Sequence, residues 1–112
     1  MTTIKLTLIT TNVIITVMIK SFSDKHTEDL FNREKVKKFP PSILKVAYRK
    51  LLLIDAAGKV DDLRVPQGNR IEKLSGNMSG KQSIRINNQW RIVFQWKEDN
   101  AYDVKIMDYH KG

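Results

Sequence analysis

Apolar residues in this chain change their spacing near the middle, from a recurrence of three and four positions to an alternation of two. Ile43, Ala47, Leu51 and Ile54 recur at helical spacing, Leu44, Tyr48 and Leu52 widen that stripe, and Lys45, Arg49 and Lys50 fall mostly outside it. The pattern predicts an amphipathic helix that begins at Pro40-Pro41, where proline presets φ for a first turn, and stops at Gly58. Upstream, Ser23 or Asp24 can accept a hydrogen bond from free N–H groups of a following turn, so a short helix carrying Leu30 and Phe31 is expected. A helical or irregular basic connector, Arg33 to Phe39, joins the two.

Beyond Gly58 the punctuation changes. Pro66 and Gly68 mark Asp61 to Asn69 as a loop, and strands are expected at Arg70 to Leu74, Gln82 to Asn87, Trp90 to Lys97 and Tyr102 to Tyr109. Turns fall at Gly76/Gly80, Asn87-Asn88 and Asp99-Asn100. Helices first and antiparallel strands later is the α+β pattern, with the helices packed on one face of the sheet. Core patterning sets the register of the central hairpin, because a one-residue slip would turn every side chain over. Ile84 with Ile92 and Ile86 with Trp90 keep the apolar residues on one face, leave a connection at Asn87-Asn88-Gln89, and place Arg85 opposite Arg91 on the other. Like charges directly across a sheet repel by up to about 1 kcal/mol, so a phosphate, water or neighbouring carboxylates should offset the pair. Trp90 and Trp96 share the apolar face and read as core rather than as base-stacking platforms.

The N-terminal run Thr3 to Val17 is dense in β-branched residues and reads as strand. Thr interrupts it throughout, Asn12 sits inside it, and no small-residue cleavage pattern follows, so neither an export signal nor a span of about 20 apolar residues is indicated. Met18-Ile19-Lys20-Ser21-Phe22 alternates well enough to be a first strand, which divides the chain into a β-rich extension, residues 1–17, and a single domain, residues 18–112, with translation expected to begin at Met18.

Length permits one two-layer core. Charge then narrows the partners: 20 Lys plus Arg against 12 Asp plus Glu leaves +8, a field that draws polyanions. The chain has no cysteine, which excludes disulfides, thiol nucleophiles and Cys-type zinc sites and is compatible with a reducing cytoplasm. Its 2 histidines, His26 and His110, are too few for a His-based metal cage. His26 lies among polar helix-start residues and reads as surface, and Lys35-Lys37-Lys38 as a solvated connector. The terminal run Asp108-Tyr109-His110 brings a carboxylate, a phenol and an imidazole together after an apolar strand. If Val104 and Ile106 face the core, alternation puts Tyr109 with Lys105 on the open face and sends Asp108 and His110 the other way. By composition alone a terminal histidine is more often solvated than catalytic.

Several separated motifs in order, Met18 to Phe22, Phe39-Pro40-Pro41, Leu63-Arg64-Val65-Pro66 with Gly68-Asn69-Arg70, Ser83 to Asn87 with Gln89 to Ile92, and Asp108-Tyr109-His110, resemble the HigB family of bacterial toxins within the RelE-like superfamily. The resemblance implies a strand and two helices packed on a mostly antiparallel sheet, and a cytoplasmic type II toxin that cleaves messenger RNA on the ribosome without metal or other cofactor. Its implied partners are the ribosome, mRNA and a HigA-like helix-turn-helix antitoxin, with no membrane. By position, the resemblance makes His110 general acid or base, Tyr109 a stacking or orienting residue, and Asp108 the group that orients His110 or raises its pKa. Arg91 and Arg85 would hold the scissile phosphate, with Lys73 and Arg70 on the RNA backbone. Where the family usually carries Lys-Gly-Asp-Arg and then an aromatic, this chain reads Ser75-Gly76-Asn77-Met78 and Gln82, two cations and one stacking surface fewer. A gyrase poison of the related ParE type and a noncatalytic RNA- or ribosome-binding protein are the competing functions.

Overall fold

The computed structural model describes residues 9–10, 13–14 and 19–109. In chain order the regular elements are β1 (Ile9–Thr10), β2 (Val13–Ile14), α1 (Lys25–Phe31), α2 (Pro41–Ala56), β3 (Glu72–Lys73), β4 (Gln82–Arg85), β5 (Trp90–Lys97) and β6 (Asn100–Asp108), with short 3-10 turns at Val60–Arg64, Gln67–Asn69 and Gly76–Met78. β1 and β2 pair antiparallel, Ile9 with Ile14, so within the N-terminal run expected as strand the described part is a short ribbon. The expected start at Met18, and most of the expected extension, lie outside the described residues.

The main sheet has the order β3-β4-β5-β6 and every pairing is antiparallel. Residues 19–23 add a parallel strand to its far edge through bridges Ile19 to Ala101 and Phe22 to Val104, with Lys20 N–H donating to Ala101 O at 2.8 Å. The domain is therefore α+β, as the spacing predicts. Ile43, Ala47, Leu51 and Ile54 of α2 are buried in one core with Ile84, Ile92, Phe94, Val104 and Ile106 of the sheet. Helix starts follow the local chemistry. Asp24 caps α1 by accepting from Thr27 N–H at 3.1 Å, and Pro41 is the first residue of α2.

Thr27, fully buried, ties α1 to the sheet: its hydroxyl donates to Asp24 Oδ2 at 2.7 Å and accepts from Ile106 N–H at 2.9 Å. The Asp24 carboxyl feels burial, which raises its pKa, but the two Thr27 hydrogen bonds and Lys38 outweigh it and leave the value below the ordinary aspartate range.

Four details depart from the pattern. Lys50 is buried rather than outside the stripe, because 43, 47, 50 and 54 are themselves spaced by four, three and four and so line one helix face. The strand expected from Arg70 is shortened to Glu72–Lys73, since Arg70 is left-handed at φ 44° and turns the chain before pairing begins. The β5–β6 turn falls at Glu98-Asp99, one residue early, with φ of 53° and 64°, so that Lys97 faces Asn100; Asn100 Nδ2 holds it by donating to Glu98 O at 2.9 Å. Finally, β6 carries an extra residue opposite Phe94, where Val93 pairs with Lys105 and Gln95 with Tyr102. Asp103, φ 55°, sits in this bulge, and Ser21 Oγ accepts its N–H at 2.9 Å. The bulge explains why Ala101, Val104 and Ile106 are all buried although 101 and 104 differ in parity.

Candidate functional site

The hairpin register is the one the apolar pattern demands: Ile84 faces Ile92, Arg85 faces Arg91, and Ile86 N–H donates to Trp90 O at 2.8 Å. Asn87 shapes the connection, its side-chain oxygen accepting from both Gln89 N–H and Trp90 N–H at 2.8 Å. Trp90 packs edge-on against Phe39 at 5.7 Å and Trp96 against Phe94 at 6.4 Å, which makes both part of the core margin.

The two facing guanidiniums part company. Arg85, half-buried, turns to the side-chain oxygen of Asn88. Arg91, only 9% exposed, turns inward. Its Nε donates to Ser83 Oγ at 2.7 Å, and its Nη2 to Arg70 O at 2.5 Å and Ser83 O at 3.3 Å. Glu72 Oε1 lies 3.9 Å from Nε, and the Tyr109 ring centroid 5.8 Å from the guanidinium carbon. The like-charge pairing is thus eased by separate partners, including the carboxylate that the strand pattern allowed for. Burial draws the Arg91 guanidinium below the ordinary arginine value, Glu72 and Tyr109 oppose that, and Arg85 and Arg70 add to it. At neutral pH it remains a cation, held in a fixed orientation by three acceptors.

Sequence reasoning missed two members of this neighbourhood. Ser83, fully buried, is the acceptor that aims Arg91; its position on the same face as Arg85 and Arg91 was readable from alternation. Lys50, 6% exposed, comes from α2. Burial lowers its pKa first, then Arg49, Arg85 and Arg91. A strict helical count of the buried stripe would have found it.

The remaining predicted residues divide. Tyr109 is half-buried beside Arg91, its N–H donating to Gln89 O at 2.5 Å, on the Lys105 face expected from parity. Asp108 is exposed opposite Trp90 and accepts from Gln89 Nε2 at 3.1 Å. Arg70 supplies its carbonyl to Arg91 and leaves its own side chain exposed. Lys73 is exposed on β3, paired with Gln82, and lines a shallow cleft with Arg64 and Glu72. His110 lies outside the described residues. The divergent loop forms an exposed 3-10 turn at Gly76–Met78, and Gln82 faces Phe94 across the strands. His26 is exposed, as its polar surroundings predict.

Chemically, a cationic cluster with one fixed guanidinium, one buried lysine within its field and an aromatic ring at its edge is suited to hold a phosphodiester and to stabilise negative charge growing on it. Among the described residues there is no group of three or more His, Asp or Glu side chains able to hold a metal ion, and no helix is long and apolar enough to cross a membrane.

Comparison with known proteins follows the same outline. Residues 20–110 match the family described as RelE-like toxin of type II toxin-antitoxin system HigB. Toxin HigB-1 of Vibrio cholerae is 42% identical over 95 residues, which cover 84% of this chain and 99% of that protein. Endoribonuclease HigB of Proteus vulgaris is 32% identical over 93 residues, 83% of this chain and 100% of that one. Among solved structures, a chain of the YoeB-YefM complex from Staphylococcus aureus shares the fold with a TM-score of 0.52 at 23% identity, covering 82% of this chain and 97% of that one.

Proposed function

This chain belongs to the HigB-like family of RelE-like toxins of type II toxin-antitoxin systems, and within that family we propose that it cleaves messenger RNA on the ribosome without a metal. The observation that carries the reading is the anchored Arg91 guanidinium, buried beside Tyr109, opposite Arg85 and within the field of Lys50. A relative named as an endoribonuclease aligns over the whole of its length, which supports RNA cleavage as the family's chemistry.

In the proposed reaction the ribose 2′-oxygen attacks the adjacent phosphorus, a base takes its proton, the P–O5′ bond breaks, and an acid protonates the departing 5′-oxygen. The 2′,3′-cyclic phosphate and 5′-hydroxyl account for all atoms. Charge builds on the nonbridging oxygens in between, and Arg91, already oriented by Ser83 and Arg70, needs no reorganisation to meet it. Arg85 and Lys50 add positive potential, Tyr109 stacks on or orients a nucleotide, Lys73 and Arg70 bind the backbone, and His110 with Asp108 is assigned the proton transfers. The HigA-like helix-turn-helix antitoxin is the proposed partner and the cytoplasm the proposed compartment.

The test is a translating extract supplied with a defined message, the cut mapped by primer extension and its ends typed. The parent chain should cut the message and leave cyclic-phosphate ends, while Arg91→Ala and His110→Ala should not. Messages left intact while DNA gyrase is poisoned would move the chain to the competing ParE-type activity; RNA binding without turnover would make it a noncatalytic binder.

A further inference from the structure

On the side of α2 away from the cationic cluster lies an open groove of about 580 Å³ between the two helices. Leu30 of α1 and Leu44, Tyr48 and Leu52 of α2 form its apolar floor, and Leu52 is 42% exposed. Leu44, Tyr48 and Leu52 are spaced by four, so they run along one helix face for about 12 Å, or roughly two turns. Position 48 is about 200° around the helix from position 50. The groove therefore faces away from Lys50, and a segment seated in it leaves Arg91 accessible.

The rim sets the sign of the occupant. Arg33, Lys45 and Arg49 border the floor against one acid, Glu34. Arg33, at φ 65° just past the end of α1, lays its guanidinium over the Tyr48 ring at 4.7 Å from the centroid, so this cation is part of the groove wall. A leucine floor with a cationic rim complements a helix that has an apolar stripe of two turns and acidic flanks. Single-stranded RNA would leave the leucines unmatched, because its own recognition relies on aromatic stacking beside phosphate contacts.

We propose that this groove is where the cognate antitoxin docks, through an acidic amphipathic helix. The proposal rests on the toxin-antitoxin assignment and not on RNA cleavage, so the two can fail separately. Two synthetic 14-residue helical peptides, acetylated and amidated, serve as probes: one with leucine at every fourth position and glutamate on the flanks, the other with lysine for glutamate. Binding to the full chain is measured by fluorescence anisotropy, and the contact surface is mapped by amide chemical shifts. The acidic peptide should bind and shift resonances of residues 44–52; the basic one should not.

Leu52→Glu should weaken binding by at least about tenfold, as expected when a charge replaces an exposed apolar contact of the floor, and Arg33→Glu with Lys45→Glu and Arg49→Glu should reverse the preference toward the basic peptide. Unaltered thermal unfolding of Leu52→Glu separates lost contact from lost fold. Message cleavage, assayed in parallel, should be unchanged in Leu52→Glu; a parent that cuts no RNA yet binds as described defeats only the nuclease reading. The proposal is overturned if the acidic peptide fails to bind at millimolar concentration, if Leu52→Glu leaves its affinity unchanged, or if the shifts map to β4 and β5. It is equally overturned if single-stranded RNA displaces the peptide from residues 44–52, or if sedimentation shows a dimer of the parent that Leu52→Glu abolishes.

Discussion

Ser83→Ala removes one oxygen from a site with no solvent exposure, and the partner it deprives is Arg91 Nε, 2.7 Å away. Deleting so small a group leaves little cavity, so the cost is that of an N–H on a charged guanidinium left without its acceptor. Hydrogen bonds to charged groups contribute about 1.5–3 kcal/mol. Arg91 keeps its Nη2 bonds to Arg70 O and Ser83 O and retains slight contact with water, which places the expected loss at the lower end, about 1.5–2 kcal/mol. For a domain of this size that is a fall in Tm of roughly 6–16 °C. Urea unfolding of the parent, Ser83→Ala, Arg91→Met and the double variant isolates the pair, because with Arg91 gone the serine has nothing to accept. The coupling should be at least about 1 kcal/mol. If Ser83→Ala costs the same with and without Arg91, or costs less than about 0.5 kcal/mol in the parent, Ser83 does not aim the guanidinium.

Arg91→Lys keeps the charge but not the fork that reaches three acceptors at once, and should reduce message cleavage about 100-fold or more in a translating extract, the loss typical of one oriented transition-state donor. Thr27→Val preserves shape while orphaning Ile106 N–H, costing about 1–3 kcal/mol; hydrogen exchange should show the Ile106 amide losing protection while those of α2 keep theirs. Lys50 has its folded pKa lowered by burial and by Arg49, Arg85 and Arg91, so below that value its penalty is constant. Between the folded value and the higher unfolded one the unfolded chain holds more protons, and stability rises with pH. Lys50→Met should abolish that alkaline rise and raise Tm at neutral pH, measured by thermal scans across pH. Asp24 has the opposite dependence: its lowered pKa makes its contribution complete above the unfolded aspartate value and lost as pH falls through the folded one, so Asp24→Asn should flatten the acid limb of the same scans.

Elements whose position depends on side-chain periodicity were legible in the chain. Pro41 begins α2 and Asp24 caps α1, and the Arg85–Arg91 register follows from keeping Ile84, Ile86, Trp90 and Ile92 on one face. What periodicity does not encode is backbone conformation forced by tertiary partners. Arg70 turns left-handed where its carbonyl meets Arg91, and Asp103 bulges where Ser21 captures its N–H; arginine does not announce positive φ, and aspartate, which tolerates it, sits here inside an alternating strand pattern that argues against a bulge. Lys50 was misread for a different reason. A lysine on a core-facing stripe is excluded by the usual cost of burying charge, so the residue type argued against what its spacing argued for. Within the site, alternation put Tyr109 on the Arg91 face, but the anchoring of Arg91 by Ser83 depends on distances that a linear pattern does not hold.

The extra residue at Asp103 divides β6 into two segments of opposite phase, one ending in Ala101-Tyr102 and one running from Val104 to Tyr109, and the parallel strand at residues 19–23 bridges both, Ile19 to Ala101 and Phe22 to Val104. Both segments are held by β5 on one edge and by residues 19–23 on the other, so neither can slide to absorb a change in length. A single insertion or deletion between Ala101 and Val104 would turn either Ala101 or Tyr109 to the wrong face. Divergence in this strand is thereby confined to substitutions or to compensated pairs of length changes, and the parity of one peptide unit becomes a heritable constraint on the site at the far end.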